Sequence, residues 1–190
     1  LDTLAGNREG GLITSKGDDY GLYSGITDPR FILVPHDLDT MFNLGNTTVD
    51  PDRSIWSFDD LPGLVRFFQN DEVIHLYYQK LLSLTAGLFS ESNLHPMVDD
   101  LLGEWVEEDE IRDAKDWISE RAIEAIEQVP DTFTATCDLP VVDGYFRTET
   151  GSAVFTGRFR SGRVLSVLLN GVAAEREQRA GTWRLAMDSS

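Results

Sequence analysis

The sequence predicts an α+β protein in which a short β-hairpin and several helices precede a small antiparallel β unit. Apolar residues recur at three- and four-residue steps between residues 70 and 128, which is typical of helices with one core-facing side. After Pro130 the pattern changes to an alternation with a period of two, which is typical of strands. We therefore expect two domains, 1–129 and 130–190, the second β-rich and sandwich-like, with truncation as an open alternative.

The first regular elements are expected to be two short strands. Residues 1–19 are rich in Gly, Asn and Asp, which indicates a loop. Tyr20–Tyr23 and Phe31–Val34 predict a strand pair, joined by a turn that contains Asp28-Pro29. Because Phe31–Val34 is an unbroken apolar run that stops at Pro35, we expect this strand to be buried.

Three helices are predicted in the middle of the chain. Asn70 is a suitable cap for a helix that reaches about Phe89, since acidic residues fill the first turn. A shorter helix is expected from about Pro96, and a third from about Glu108 to Gln128. Trp105 and Trp117 are interpreted as packing residues of this region.

The residues after 130 predict antiparallel strands joined by tight turns. Asn170-Gly171 is the sequence signal of a two-residue hairpin turn, because both positions tolerate a positive φ. Ser161-Gly162 predicts another bend. By likeness to modules appended to secreted bacterial proteins, we expect this unit to serve adhesion or spacing.

The charge distribution limits the kinds of partner that the chain could bind. The net charge is −17, and all of the excess lies in residues 1–129, which hold 26 acidic and 9 basic residues. Such a field repels phosphate backbones, so nucleic acid is not expected as a partner. No apolar run approaches the ~18 residues of a membrane span, and the single cysteine excludes an intrachain disulfide.

Two carboxylates, Asp37 and Asp39, follow the predicted strand Phe31–Val34 directly. A strand that ends in paired aspartates commonly holds a divalent cation against a phosphorylated ligand. The alternative is a solvated turn, because Asp favours turns for its own hydrogen bonds. A dehalogenase-type phosphatase loop is disfavoured, because Thr40 comes one position too early for that motif.

The order of polar loop, two short strands and carboxylate is the order found in the catalytic half of protein kinases. Three segments resemble the CotH kinase-like family, which is named for a bacterial spore-coat protein. They are Asn7-Arg8-Glu9, Asp18-Asp19-Tyr20-Gly21-Leu22-Tyr23, and Val34-Pro35-His36-Asp37-Leu38-Asp39-Thr40-Met41-Phe42. The resemblance covers about residues 1–128 and implies a fragment of the C-lobe of a protein-kinase-like fold.

The resemblance also implies residue roles. Asp37 would be the principal ligand of Mg²⁺ or Mn²⁺, with Asp39 as neighbour or alternate. Asp18 and Asp19 would contribute to cofactor binding, and Asp19, which stands where the family often has an asparagine, would also contact the metal. Glu9 would occupy the place of the catalytic aspartate. His36 replaces a tryptophan and is interpreted as a packing or supporting residue.

The function implied is metal-dependent transfer of phosphate from ATP to Ser or Thr hydroxyls of a protein, at the surface of a bacterium or in its secretions. Three departures count against activity of this chain alone. Asp19 in place of asparagine adds negative charge, which favours metal binding but opposes the approach of ATP. Glu9 is one methylene longer than aspartate, and no glycine-rich phosphate loop precedes it. The alternative hypothesis is a noncatalytic secreted structural or adhesion protein whose acidic loop binds Ca²⁺. The oligomeric state is not predicted.

Overall fold

The computed structural model describes residues 1–7, 20–45, 48–58, 61–149 and 151–188, and within these ranges the chain has an α+β fold. Glu9, Asp18 and Asp19 lie outside the described residues. The helices of the described part are α1 (Asp2–Ala5), α2 (Pro62–Phe67), α3 (Asp71–Ala86), α4 (Glu91–Leu102) and α5 (Glu108–Glu127). The strands there are β1 (Tyr20–Ser24), β2 (Phe31–Pro35), β3 (Thr134–Cys137), β4 (Val141–Val142), β5 (Tyr145–Phe146), β6 (Ser152–Arg158), β7 (Leu168–Leu169), β8 (Val172–Ala173), β9 (Glu175–Glu177) and β10 (Thr182–Asp188).

The chain divides into two compact units. The first unit contains Leu1–Phe67 and Leu81–Gln128, and the second contains Phe68–Lys80 and Val129–Ser190. Helix α3 therefore contributes its first ten residues to the second unit and its last six to the first. The predicted division into domains 1–129 and 130–190 stays a prediction. No helix of the described residues has both the length and the apolar content that crossing a membrane requires.

Strands β1 and β2 form the expected antiparallel pair, with Tyr20 opposite Pro35 and Ser24 opposite Phe31. The turn between them is closed by Asp28, whose carboxylate accepts hydrogen bonds from the backbone N–H and the guanidinium of Arg30. The hydrogen bonds from the Arg30 side chain, followed by the one from its backbone, hold the pKa of Asp28 below its usual value. The hairpin is therefore ordered by local polar contacts as well as by its ladder.

The expectation that Phe31–Val34 is buried is wrong. Phe31 is 71% exposed, Ile32 and Val34 are also exposed, and Leu33 alone is half-buried. The ribbon has two strands, and no third strand or covering layer is paired with it in the described residues. An unbroken apolar run predicts a strand, but it does not say whether another element covers its faces.

Two of the three predicted helices begin where the sequence indicates. The side-chain oxygen of Asn70 accepts a hydrogen bond from the backbone N–H of Glu72 at 2.9 Å, so Asn70 caps α3 as expected. That helix ends at Ala86, three residues before the predicted end. Helix α5 spans Glu108–Glu127, within one residue of the prediction.

The predicted start of the middle helix is wrong by five residues. The backbone N–H groups of Asn93 and Leu94 both donate to the carbonyl of Ser90, so helical hydrogen bonding begins there. Pro96 lies inside α4 rather than at its first position. Proline is common in the first turn of a helix, because it lacks an N–H. Here the helix begins earlier, directly after Ser90, whose backbone is extended.

Side chains of α5 hold the irregular stretch 48–58 in place. The indole N–H of Trp117 donates to the carbonyl of Val49 at 2.6 Å, and the amide oxygen of Gln128 accepts from the N–H of Ile55 at 2.9 Å. Between them, the guanidinium of Arg121 donates to the carbonyls of Pro51, Arg53 and Thr3. These side chains give hydrogen-bond partners to backbone groups of the stretch 48–58 and of α1, most of which belong to no strand or long helix.

The core of the first unit lies between α4, α5 and this stretch. Its buried apolar residues come from α1, the stretch 48–58, the end of α3 and the residues after it, α4 and α5: Leu4, Val49, Ile55, Trp56, Phe58, Leu81, Phe89, Leu94, Val98, Ile111, Trp117 and Ile118. Trp56 and Phe58, which lie in the stretch 48–58 itself, are both buried. Trp117 is a packing residue as predicted, but Trp105 is 83% exposed, so its expected role in packing within this chain is wrong.

The second unit is built on a four-stranded antiparallel sheet in the order β3-β6-β10-β9. Phe159, Val167, Ala174, Trp183 and Leu185 form its core. The predicted Asn170-Gly171 turn joins β7 to β8, with φ values of 52° and 83°. These values are those of a hairpin turn that matches the twist of the strands.

The start of α3 packs in this second unit. The hydroxyl of Tyr78 donates to the carbonyl of Arg179 at 2.8 Å, and Nδ1 of His75 lies 2.7 Å from the carbonyl oxygen of Ser161. Asp71 forms an ion pair with Arg176 at 3.3 Å. His75 is thus a structural contact between α3 and the β-rich part of this unit.

Candidate functional site

The loop after β2 carries the two aspartates that the sequence singles out. Asp37 and Asp39 are both exposed, and Asp37 has a φ of 52°, in the left-handed region. Aspartate is one of the few residues that adopt this conformation readily. The positive φ turns the chain out of the strand direction just past Pro35, and Asp39 then leads into a tight turn.

A 3-10 turn at Met41–Asn43 anchors the far side of this loop. Phe42 and Asn43 both have positive φ values, 57° and 61°. The ring of Phe42 lies 6.3 Å from the ring of Phe89 and 6.5 Å from that of Trp117. The side-chain oxygen of Asn43 accepts a hydrogen bond from the N–H of Val49 at 2.8 Å. Asparagine adopts a positive φ readily, but at Phe42 it costs roughly 1–3 kcal/mol, which the aromatic packing of the ring offsets.

Gly45 fixes the position of the Asp39 backbone. Its φ is 79°, and a Cβ added there would lie 2.6 Å from the carbonyl oxygen of Asp39. Only glycine allows this approach without moving one of the two backbone segments. The turn-forming run Asn43–Asn46 predicts a turn that includes Gly45, but it does not predict the close approach of Gly45 to the Asp39 carbonyl.

We expect Gly45→Ala to lower the free energy of unfolding by about 2 kcal/mol, because alanine is strained at this φ and its Cβ overlaps the Asp39 carbonyl. Urea unfolding followed by tryptophan fluorescence measures the change. Gly63→Ala is the matched control, since Gly63 lies within α2 with nothing within 4 Å of the added Cβ, and should not destabilise the protein. Equal effects of the two substitutions would contradict the role given to Gly45.

Thr40 adds a hydroxyl oxygen to the carboxylate oxygens of Asp37 and Asp39 in this loop. Its side chain is fully buried, and its hydroxyl has no hydrogen-bond partner among the described residues. Carboxylate and hydroxyl oxygens are hard donors of the kind that Mg²⁺ and Mn²⁺ prefer. The donor chemistry of the loop therefore fits a divalent cation, although the described residues contain no cluster of three His, Cys, Asp or Glu side chains that could hold one.

Two clefts in the described part of the first unit are large enough to hold phosphate groups, but their linings do not suit the phosphates of ATP. The cleft beside the loop, of about 340 Å³, is lined by Phe42–Gly45 and by Glu110 and Asp113, with no basic side chain. The other, of about 320 Å³, contains Lys115 and Arg112. Both cations are already paired with aspartates, Lys115 with Asp99 and Arg112 with Asp113. Neither cleft has the net positive lining that a triphosphate needs.

Comparison with models of protein families identifies the family of this chain. A family model described as CotH kinase protein matches residues 5–130, about two thirds of the chain. The chain belongs to the CotH kinase family. The comparisons with curated proteins and with solved structures returned no match.

Membership in the CotH kinase family confirms the resemblance inferred from Asp18–Phe42 and gives an atypical kinase-like protein. A kinase-like family implies ATP, a divalent metal and a protein substrate in general terms, and CotH kinases are associated with the spore coat. The described fold agrees with a kinase-like fragment, a short hairpin followed by helices. The roles of Glu9, Asp18 and Asp19 stay predictions, because these residues lie outside the described ranges.

Proposed function

We propose that this chain is the catalytic-half portion of an atypical protein kinase that transfers phosphate from ATP to Ser or Thr hydroxyls of a protein. Asp37 is the principal Mg²⁺ or Mn²⁺ ligand, with Asp39 as its neighbour. Asp18 and Asp19 contribute to binding of the metal–nucleotide complex, and Glu9 is the base that accepts the hydroxyl proton. The proposal extends to a secreted or cell-surface protein of a bacterium.

One observation carries this proposal. In the β1–β2 ribbon, Tyr20 is paired with Pro35, so the chain enters and leaves the ribbon at the same end. Asp19 is one peptide link before Tyr20, and Asp37 is two links after Pro35. The register therefore supports a shared cation, because Asp19 and Asp37 both adjoin, in sequence, the same end of one short ribbon.

The chemistry requires little from the protein beyond placement. A bound divalent cation would neutralise the charge that develops on the transferred phosphoryl group. The carboxylates of Asp37 and Asp39 would hold the cation at the end of the ribbon. The turn anchored at Phe42 and Gly45 would restrict the movement of these carboxylates.

We expect this chain by itself to bind metal and nucleotide weakly and to phosphorylate no substrate. The two described clefts of the first unit lack free basic side chains for the phosphates. In kinases, a lysine and a glycine-rich loop hold those phosphates before transfer. A polypeptide that also supplies such a clamp should show the activity.

Calorimetric titration of the chain with Mg²⁺, Mn²⁺ and Ca²⁺, each with and without ATP, tests the proposal. Mg²⁺ or Mn²⁺ binding that tightens at least ~10-fold with ATP would support the kinase function, since metal and nucleotide bind as one complex. Ca²⁺ binding that is indifferent to ATP would contradict it and favour the noncatalytic structural or adhesion protein.

A further inference from the structure

Helix α4 of the first unit carries an exposed apolar surface that is distant in sequence from the loop containing Asp37 and Asp39. Met97 and Leu101 are four residues apart on α4, so they lie on one side of that helix. They are 44% and 66% exposed. Trp105 continues this series and is 83% exposed. We call these three residues the 97–101–105 stripe.

The backbone keeps winding past the end of α4, which is why Trp105 continues the stripe. Gly103 has helical φ and ψ values, and its N–H donates to the carbonyl of Asp99. The N–H groups of Trp105 and Val106 both donate to the carbonyl of Leu102. One more helical turn is thereby added after Leu102.

The fold of the unit does not need this stripe for its own core. The adjacent series on α4 is Leu94, Val98 and Leu102, of which the first two are buried and the third is half-buried. Helix α4 thus carries two apolar stripes, one that faces the core and one that faces solvent. A large exposed tryptophan within an apolar stripe is typical of a binding surface, because tryptophan is enriched at interaction hot spots.

Carboxylates surround the exposed stripe. Residues 99–110 contain seven acidic residues and no basic one. Asp100 and Glu104 are four residues apart and border the stripe on the side away from the core. They form no ion pair with another described residue, whereas the nearest lysine, Lys115, is already paired with Asp99. The surface is therefore apolar along its centre and negative at its border.

We propose that the 97–101–105 stripe is a docking site for a cationic amphipathic segment of a partner protein. The apolar side of such a segment would cover Leu101 and Trp105, and its lysine or arginine side chains would meet Asp100 and Glu104. Charge complementarity selects this occupant, because an acidic or uncharged apolar segment would leave the bordering carboxylates unpaired. The proposal does not depend on phosphoryl transfer.

The probe is a synthetic 18-residue amidated peptide of leucine and lysine, with leucine at helical spacing along one side. Calorimetry at low salt should show saturable binding to the whole chain. Two control peptides have the same leucine pattern with glutamate in place of lysine, or the same composition in scrambled order. Neither should bind measurably, because the first carries the wrong charge and the second has no apolar stripe.

Trp105→Ala should weaken binding of the lysine–leucine peptide at least ~10-fold, the scale of a hot-spot truncation. Ile123→Ala is the matched control, since Ile123 is an exposed apolar residue on α5, and it should leave the affinity unchanged. The double variant Asp100→Asn/Glu104→Gln should weaken binding about 3-fold at low salt and have no effect at high salt. Circular dichroism should show an unchanged fold in each variant, because all the substituted side chains are exposed.

Three results would overturn the proposal. The first is equal binding of the scrambled or the glutamate peptide, which would mean that binding does not depend on the apolar centre and the negative border of the stripe. The second is an unchanged affinity in Trp105→Ala. The third is a wild-type chain that sediments as a dimer while Trp105→Ala is monomeric, since a second copy of the chain would then occupy the stripe.

Discussion

Replacement of Arg121 by methionine is expected to lower the free energy of unfolding of the protein by about 3–5 kcal/mol, because three hydrogen bonds from a charged group are lost. Arg121 is 1% exposed, and its guanidinium donates to the carbonyls of Thr3, Pro51 and Arg53. Methionine has a similar length but no donor, so the carbonyls of Thr3, Pro51 and Arg53 would each lose a charged hydrogen-bond donor. Since whole domains are stable by only about 5–15 kcal/mol, this single change threatens the first unit.

The measurement is urea unfolding followed by tryptophan fluorescence, with Arg112→Met as control. Arg112 lies on the same helix, but its side chain is exposed, and among the described residues it pairs only with the neighbouring Asp113. Its replacement should change stability by less than ~1 kcal/mol. Arg121→Lys should give an intermediate loss of stability, because one ammonium group cannot reproduce all the hydrogen bonds that the planar guanidinium donates. A loss below ~1 kcal/mol in Arg121→Met would show that these contacts do not hold the loop.

Asp37→Asn is expected to weaken ATP-dependent binding of Mg²⁺ or Mn²⁺ at least ~100-fold. Loss of a residue that only supports a ligand typically costs 10–100-fold, so the loss of a principal ligand should reach or exceed that range. Asparagine is the appropriate replacement, because it also adopts the left-handed conformation that Asp37 has, with φ of 52°. Asp39→Asn should have a smaller effect if Asp39 is only a neighbour.

Asp143→Asn is the matched control for this experiment. Asp143 is an exposed aspartate with a φ of 54°, in the turn between β4 and β5, so its replacement makes the same change in charge and conformation elsewhere in the chain. It should leave metal binding unchanged. If Asp37→Asn binds metal as well as wild type, Asp37 is not a ligand, and a larger effect in Asp39→Asn would exchange the two roles.

Local signals in the sequence predict the elements of this fold well. Asn70 as a cap, helix α5 and the Asn170-Gly171 turn all depend on neighbours within a few residues, and the structure confirms each of them. The strand pair β1–β2 is local in the same sense, because its strands are joined by a short turn around Asp28.

Burial and long-range anchoring could not be predicted in the same way. The apolar run Phe31–Val34 specifies a strand, but its exposure depends on which other elements pack on it. Trp105 has the residue type of a core position and faces solvent instead. The hydrogen bonds from Trp117 and Arg121 to the stretch 48–58 join residues about 70 positions apart, and no sequence pattern announces such pairs.

The candidate site also combines residues that the sequence predicts with contacts that only the folded structure shows. The sequence singles out Asp37 and Asp39 because two carboxylates after a strand are a recognisable pattern. It gives no sign that Gly45 must approach the Asp39 carbonyl or that Phe42 packs between Phe89 and Trp117, because both are properties of the folded loop.

The most direct test of a shared cation is nuclear magnetic resonance of the ¹⁵N-labelled chain with ATP and substoichiometric Mn²⁺, which broadens signals of amides close to the bound ion. We expect the amides of Tyr20 and Asp37 to broaden together, because they lie at one end of the β1–β2 ribbon. Those of Ile26 and Thr27 should persist, since the five-residue strands separate them from that end by about 17 Å. Broadening at Asp37 without broadening at Tyr20, or none at either, would contradict the account.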